Sequence, residues 1–400
     1  MQRLLVMILG TDSNSYTAAR AIHEAYGETP LVLGAGVLLP FVHSRIAKVM
    51  TRPGFSKEKA TFVELVKEAY EKEANEGDAA FFLVPNEDYL FMLYAAEDQL
   101  DFPIVISYPN EALAHIMTEK GKFYKKMNEL GLPVPETVRV SPDDYEFLMD
   151  DWKATGSIFM KAEDYTRFEA FDLPDRQKGY HVADVEEACH ALEHIYQAGY
   201  KGDFLVQQFI EGGAGSEYSV TGYCTADGQI SMVQARAILS DMRPKWVGNH
   251  LILIDSDDEE VFALAQELIQ KTDYYGFFNV DLKRDSNTGK LYILECNPRL
   301  GRSFEYTSLA GVNMIELAIE AETKGIYQSL RQQHPFAWYD VVPEEVARVH
   351  VEEKFLPLLD DPERRAHSGS SLYYEKDLGV LRRYKLQAAD WKTNRERFGE

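Results

Sequence analysis

Phe277–Ser303 reads FFNVDLKRDSNTGKLYILECNPRLGRS, and this stretch decides the fold. Asp285, Ser286, Asn287, Thr288 and Gly289 are turn formers between two strand-like runs, so the segment is a β-hairpin. With the turn centred on Asn287, residue 281 faces 293 and residue 279 faces 295. Alternation of side chains then predicts an apolar face of Phe278, Val280, Leu282, Tyr292 and Leu294. The other face collects Asn279, Asp281, Glu295 and Asn297. Diagonal neighbours on one face lie about 7–8 Å apart, close enough to share metal ions. Asp281 and Glu295 with the amide oxygen of Asn297 are the hard-oxygen set that suits Mg²⁺ bridging nucleotide phosphates. Arg299 and Arg302 follow in an E-x-N-x-R-x-G-R run and can neutralise a phosphoryl group in transfer. The hairpin points to ATP-driven chemistry. A one-residue slip between its strands would split the set between two faces.

Composition bounds the rest. Four hundred residues allow two or three domains, and 45% hydrophobic content with mixed charge is ordinary for a soluble globular protein. A net charge of −23 argues against nucleic acid, whose phosphates need a basic surface. It leaves nucleotide binding open, because that needs only local positive charge and metal. Cys189, Cys224 and Cys296 form no framework, which fits a reducing cytoplasm. The opening MQRLLVMILG is too short for a membrane span and lacks a signal-peptide cleavage pattern, so it reads as a buried strand. No run of about 18 apolar residues occurs, and no transmembrane helix is expected.

Residues 1–112 alternate strand and helix, which argues for a parallel sheet. The turn Gly10–Ser15 joins the first strand to its helix and is a natural anion or substrate seat, or simply a capped helix start. Neither it nor Gly34-Ala35-Gly36 makes G-x-G-x-x-G, so dinucleotide binding is poorly supported. Residues 113–135 read as one basic helix stopping at Gly131, then an extended link through Pro133 and Pro135. Lys161 ends the apolar run Ile158–Met160, and a charge there usually has a partner. Lys120 and Lys161 are the candidate phosphate ligands. Val206–Ile210 reads as a hinge strand whose backbone can meet an adenine edge.

In this order, a basic helix with E-K, G-L-P-V-P, a lysine-ended strand, a hinge strand and D…E-x-N-x-R-x-G, the chain resembles the ATP-grasp superfamily of carboxylate–amine ligases. The resemblance implies an ATP-grasp fold, α/β and α+β, with an N-terminal Rossmann-like (pre-ATP-grasp) domain. It implies an N-terminal domain at 1–112, a central lobe at 113–210, a C-terminal lobe with the hairpin at 211–330 and an extension at 331–400. By position, Lys120 and Lys161 would hold phosphates. Gln207, Gln208, Phe209 and Ile210 would line the adenine, and Glu217 would reach the ribose. Asp281, Glu295 and Asn297 would hold Mg²⁺.

The chain is more similar still to the D-aspartate ligases of Gram-positive peptidoglycan synthesis. The lines that carry this are LGTDSNSYTAARAIHEAYG, RIAKVMTRPGFSKEKATFVE, the VGN at Val247–Asn249, YYGFFNVDLKRD with LECNPRLGRS, and YYEKD at Tyr373–Asp377. That resemblance implies a cytoplasmic enzyme using ATP, Mg²⁺, D-aspartate and a UDP-linked muramoyl pentapeptide whose stem-peptide lysine is the amine. The chain departs from the family where Ala162 stands after Lys161, a place usually held by proline, and in the spacing of Glu163–Ala170. A ligase for another acid or amine, and a non-catalytic ATP-binding regulator, are the alternatives.

The C-terminal segment runs against the rest of the chain in charge. Leu378–Glu400 holds Arg382, Arg383, Lys385, Lys392, Arg395 and Arg397 against Asp390, Glu396 and Glu400, with Tyr384, Trp391 and Phe398 interleaved. It reads either as a solvated helix docked on an acidic lobe or as a handle for an anionic partner. That partner would be the precursor's diphosphate or, by weak contact, the inner membrane surface.

Overall fold

A computed structural model describes residues 4–241, 243, 246, 248–340 and 344–398. Val247, from the VGN line, lies outside the described residues. Three sheets organise the chain. The first holds β1 (Leu4–Leu9), β2 (Leu31–Gly34), β3 (Lys48–Thr51), β4 (Ala79–Leu83) and β5 (Ile104–Val105), in the order β3-β2-β1-β4-β5 with every pair parallel. This is a doubly wound, Rossmann-like layer. Its strand order reverses between β1 and β4, which opens a crevice at their carboxyl ends. Gly10–Ser15 lies there, because it follows β1 directly.

The helix Ser13–Tyr26 shows why the local sequence is enough. Asp12 caps its start by accepting the Ser15 N–H at 2.9 Å. Gly27 ends it in the left-handed region at φ 67°, where a side chain would be strained.

The second sheet holds β6 (Thr137–Val140), β7 (Ile158–Ala162), β8 (Tyr180–Val182) and β9 (Phe204–Gln208), ordered β6-β9-β7-β8 and antiparallel. The third holds β10 (Glu217–Cys224), β11 (Ile230–Ser240), β12 (His250–Asp255), β13 (Gly276–Arg284), β14 (Leu291–Asn297), β15 (Ala337–Tyr339) and β16 (Ser368–Gly369). Its order is β14-β13-β10-β11-β12-β15-β16. The helix Glu259–Lys271 buries Val261, Phe262, Leu264, Ala265, Leu268 and Ile269 against Val220, Phe278, Val280 and Leu282 of this sheet. Among the described residues no helix is long and apolar enough to cross a membrane.

Two expectations change. Residues 113–135 form two helices, Glu111–Thr118 and Lys120–Glu129, broken at Glu119, whose backbone is extended. The break places Lys120 at the first position of a helix rather than inside one. The hairpin is also shifted from a turn centred on Asn287. Near the turn Lys283 faces Tyr292 and Arg284 faces Leu291, whereas further on Asp281 faces Glu295 and Asn279 faces Asn297. The irregularity between Asp281 and Leu282 leaves Leu294 as an extra residue on β14. As a result Leu291, Ile293 and Cys296, not Tyr292 and Leu294, share the core with Phe278, Val280 and Leu282.

The segment 331–400 is tied to the rest of the fold. β15 and β16, within 331–400, join the third sheet, and Leu372, Tyr374 and Leu386 pack in one cluster with the first sheet's core. We propose lobe boundaries near residues 112, 210 and 330, with the extension clasping the first and third.

Candidate active site

The site starts from the bulge. A regular hairpin in the register found at the turn would set Asp281 opposite Leu294 and turn Glu295 to the core. The extra residue restores the parity, so Asp281 and Glu295 face each other directly on the polar face. The neighbouring strand fixes this face. Asn279 Oδ1 accepts from Ser219 Oγ at 3.0 Å and Thr221 Oγ1 at 2.8 Å on β10, and its Nδ2 donates to Asp281 at 3.0 Å. Asn297 Nδ2 donates to Glu295 at 3.1 Å. The Arg299–Arg302 loop folds back so closely that a Cβ on Gly301 would fall 2.4 Å from Asn279 Oδ1, so only glycine fits there.

The electrostatics follow from this crowding. Burial first, and then the charge of Glu295, push the Asp281 carboxyl up to about 6. Glu295 goes the other way although protein surrounds it. That surround acts to raise its carboxyl, but the Asn297 hydrogen bond and the charges of Lys120 and Lys161 hold it below the ordinary glutamate range. The carboxylate itself stays open to solvent.

Lys161, on β7, lies against Tyr124 and Gln207. Its Nζ is 3.4 Å from Tyr124 Oη and 3.3 Å from Gln207 Oε1, and 5.5 Å from the Tyr124 ring centre. Tyr124 is in turn fixed by donating to Leu294 O at 2.8 Å, the carbonyl of the bulge. Burial pushes the Lys161 ammonium down to about 8 against the pull of Glu295. Burial and the charge of Lys161 also lower Lys120. Two depressed ammonium groups beside one open carboxylate are poised for an anion. If Lys161 holds phosphate, the charged form is the binding form and is lost as pH rises through about 8. The KM for ATP should therefore climb above pH 8, by up to about tenfold per unit. Lys161→Met should raise KM at every pH and flatten this limb; a limb that persists in the variant assigns it to another group.

The hinge differs from a free adenine-reading edge. The Gln208 N–H donates to Glu136 O at 2.8 Å and the Phe209 N–H to Ser157 O at 3.0 Å. Gln207 turns its side chain to Lys161 and, through Nε2, to Thr137 Oγ1 at 2.9 Å. The Ile210 N–H has no partner among the described residues. Phe209 stacks on His181 with centroids 4.1 Å apart, and Lys283 Nζ lies 5.3 Å from its ring centre. Glu217 begins β10 and meets Lys283 at 3.2 Å and His250 at 3.4 Å. Burial works to raise the Glu217 carboxyl, yet His250 and Lys283 hold it down at about 2. The same contact raises His250 against its own burial.

Arg299 and Arg302 are each anchored to another segment. Arg299 pairs at 2.8 Å with Glu87, in the first turn of the helix after β4. Asn14 Nδ2 donates to Pro85 O at 3.2 Å, so the Gly10–Ser15 turn abuts the segment that holds Arg299. Arg302 pairs at 2.9 Å with Asp340, which also pairs at 3.0 Å with Arg397 of the last helix, Val380–Phe398. Arg397 continues to Asp241 at 3.0 Å, and Asp241 to Arg243. Gly248 and Asn249 close this loop, where the Asp241 N–H donates to Asn249 O at 2.8 Å.

Lys283, Tyr124 and His250 are site residues that the sequence reading missed. Lys283 was within reach, because it lies two positions beyond Asp281 on the same face. His250 was not, since it reaches Glu217 past β11, whose pairing with β12 carries two irregularities.

Among the described residues no three of His, Cys, Asp and Glu form a metal-binding cluster. The candidate set has two carboxylates and one amide, and its chemistry fits a shared hard cation. Two opposed carboxylates, one pushed up by the other, are what a divalent ion relieves.

Residues 201–346 match the family described as "ATP-grasp in the biosynthetic pathway with Ter operon". D-aspartate ligase of Enterococcus faecium (strain Aus0004) is 24% identical over 393 residues, covering 95% of this chain and 93% of that protein. The ADP complex of N5-carboxyaminoimidazole ribonucleotide synthetase superposes with a TM-score of 0.62 at 15% identity, over 90% of this chain and 85% of its own. The L-amino acid ligase of Bacillus licheniformis gives 0.54 at 12% identity, over 80% and 74%. The chain thus has an ATP-grasp fold with a Rossmann-like N-terminal layer, matches an ATP-grasp family over residues 201–346, and is similar to D-aspartate ligase along nearly its whole length.

Proposed function

We propose that the chain is an ADP-forming carboxylate–amine ligase that joins D-aspartate to the stem-peptide lysine of a UDP-linked muramoyl pentapeptide. The observation that carries the ligase reading is one polar face on which Asp281 opposes Glu295 within the field of the Lys120 and Lys161 charges. The acid is argued from the similarity to D-aspartate ligase.

In this reading Lys120 and Lys161 hold the phosphates, Phe209 and Ile210 flank the adenine beside Gln207 and Gln208, and Glu217 accepts from the ribose. Asp281, Glu295 and Asn297 would hold Mg²⁺, which would neutralise phosphate charge and keep the γ-phosphorus open to attack. A carboxylate oxygen attacks that phosphorus, the bond to the β-phosphate oxygen breaks, and ADP leaves. The amine nitrogen then attacks the acyl carbon, inorganic phosphate departs, and the amine proton passes to solvent. Arg299 and Arg302 stabilise charge on the transferring group. The acid sits in the crevice between Gly10–Ser15 and Arg299, which the pair of Glu87 with Arg299 supports.

A second reading is a ligase of the same chemistry for another acid or amine. The match of residues 201–346 to a family described by a different biosynthetic setting favours it. ADP release measured with single amino acids and the precursor separates the two. D-aspartate is expected to stimulate it well above L-aspartate and D-alanine, because a site that pairs a second carboxylate leaves buried groups unpaired with alanine. Equal stimulation by D-alanine moves the assignment to the second reading. ADP release without any acid or amine removes both.

A further inference from the structure

The last helix, Val380–Phe398, is built inside out. Its inward row is Arg382, Leu386, Asp390 and Asn394, at four-residue steps, and three of those four are polar. Arg382 is buried on Asp377 at 3.2 Å and donates to Pro40 O at 2.5 Å. Asp390 accepts from Tyr373, and Arg397 is held by Asp241 and Asp340. The bulky apolar side chains point out instead: Val380 is 86% exposed, Leu381 65%, Tyr384 72% and Trp391 66%. On a helical wheel these four fall on one side with Ala388, Lys385, Lys392 and Arg395. Arg395 stacks on Trp391 at 5.5 Å, while Lys385 and Lys392 have no partner among the described residues. Arg382 and Arg397 are used on the inner side and Arg383, which falls between Asp390 and Asn394 on the wheel, pairs with Glu375 at 3.6 Å, so the outer side keeps Lys385, Lys392 and Arg395 against Glu396.

Water alone does not explain an outward row of valine, leucine, tyrosine and tryptophan ringed by cations. We propose that this face docks on an anionic phospholipid bilayer, lying in the interface with its aromatic rings at headgroup depth. Charge chooses this occupant. A second copy meeting the face across a two-fold axis would set Lys385, Lys392 and Arg395 against their own kind. A bilayer with anionic headgroups satisfies the cations and accepts tryptophan and tyrosine at its surface. The protein as a whole carries a net charge of −23, which the same surface repels, so contact is confined to this helix and is salt-sensitive.

The test sediments the full chain with vesicles of equal phosphatidylglycerol and phosphatidylcholine, and with phosphatidylcholine alone, at low and high salt. Binding is expected only to the anionic vesicles at low salt. It should fall about tenfold or more in Lys385→Glu/Lys392→Glu and in Tyr384→Ser/Trp391→Ser. All four positions are exposed, so circular dichroism and the melting temperature should not move. Absence of binding to anionic vesicles at low salt overturns the proposal, as does equal binding by both double variants. Light scattering that shows a dimer dissolved by Trp391→Ser overturns it in favour of a second copy.

Discussion

Glu295→Ala is expected to reduce acid- and amine-dependent ADP release by about 10²–10³ or more while leaving the protein folded. The residue is open to solvent, so its removal makes no cavity. What it removes is the carboxylate that faces Asp281 across the hairpin and attracts both lysines. Stability of the ligand-free protein changes in two opposed ways, because the substitution relieves Asp281 and also removes the anion that Lys120 and Lys161 attract. The Asp281 carboxyl stands at about 6, raised by burial and then by Glu295, above the ordinary value of 3.8. A carboxyl raised on folding costs stability as pH climbs from about 4 to 6, because the unfolded chain loses that proton first. Without Glu295 this window should flatten. Melting curves between pH 4 and 7, beside steady-state ADP release, read both effects. Near-normal release by the purified variant would refute the assignment of the hairpin to phosphate and metal.

The hairpin was legible because its information is local. Turn formers at Asp285–Gly289 and alternation on both sides fix two strands and their faces to within one residue. What alternation cannot carry is a bulge. Leu294 looks like any strand leucine, and only its carbonyl, fixed by Tyr124, reveals that it interrupts the ladder. The set of Asp281, Glu295 and Asn297 came out on one face because the shift near the turn and the bulge cancel in parity.

The break at Glu119 was illegible for a related reason. Leu113–Leu130 has the composition of a continuous helix, and Gly121, just past the interruption at Glu119, is its one weak mark. Tertiary placement wins over propensity there. The pairs Arg302–Asp340 and Arg299–Glu87 join residues far apart in sequence, so no spacing rule could propose them. In the last helix the charge imbalance was plain, but which cations face inward depends on Asp377, Asp241 and Asp340, which lie outside that helix.

Arg20→Ala is expected to destabilise the chain by roughly 3–5 kcal/mol above about pH 8, the largest stability loss among these substitutions. Arg20, on the helix Ser13–Tyr26, pairs at 2.8 Å with Glu305, whose side chain is wholly buried. It also pairs with Glu24 at 2.8 Å and donates to Ser370 O and Ser371 O. One guanidinium thus joins the first sheet's leading helix, the segment after the hairpin and the C-terminal extension. Burial pushes the Glu305 carboxyl up while Arg20 pulls it down, and Arg20 itself is held charged against burial by Glu305 and Glu24. With Arg20 present the Glu305 carboxyl stands at about 8, and alanine at position 20 removes the cation that holds it from going higher. Below about 8 the carboxyl keeps its proton in both folded chains, so the loss should grow as pH rises beyond about 8, where only the wild type gains the ion pair. Glu305→Gln should cost less, because Arg20 keeps Glu24 and two carbonyls and the amide returns no charge to the core. Urea unfolding of both variants at pH 6 and pH 9 distinguishes them. A loss from Arg20→Ala that is equal at the two pH values, or smaller than that from Glu305→Gln, would mean that packing rather than charge pairing holds this junction.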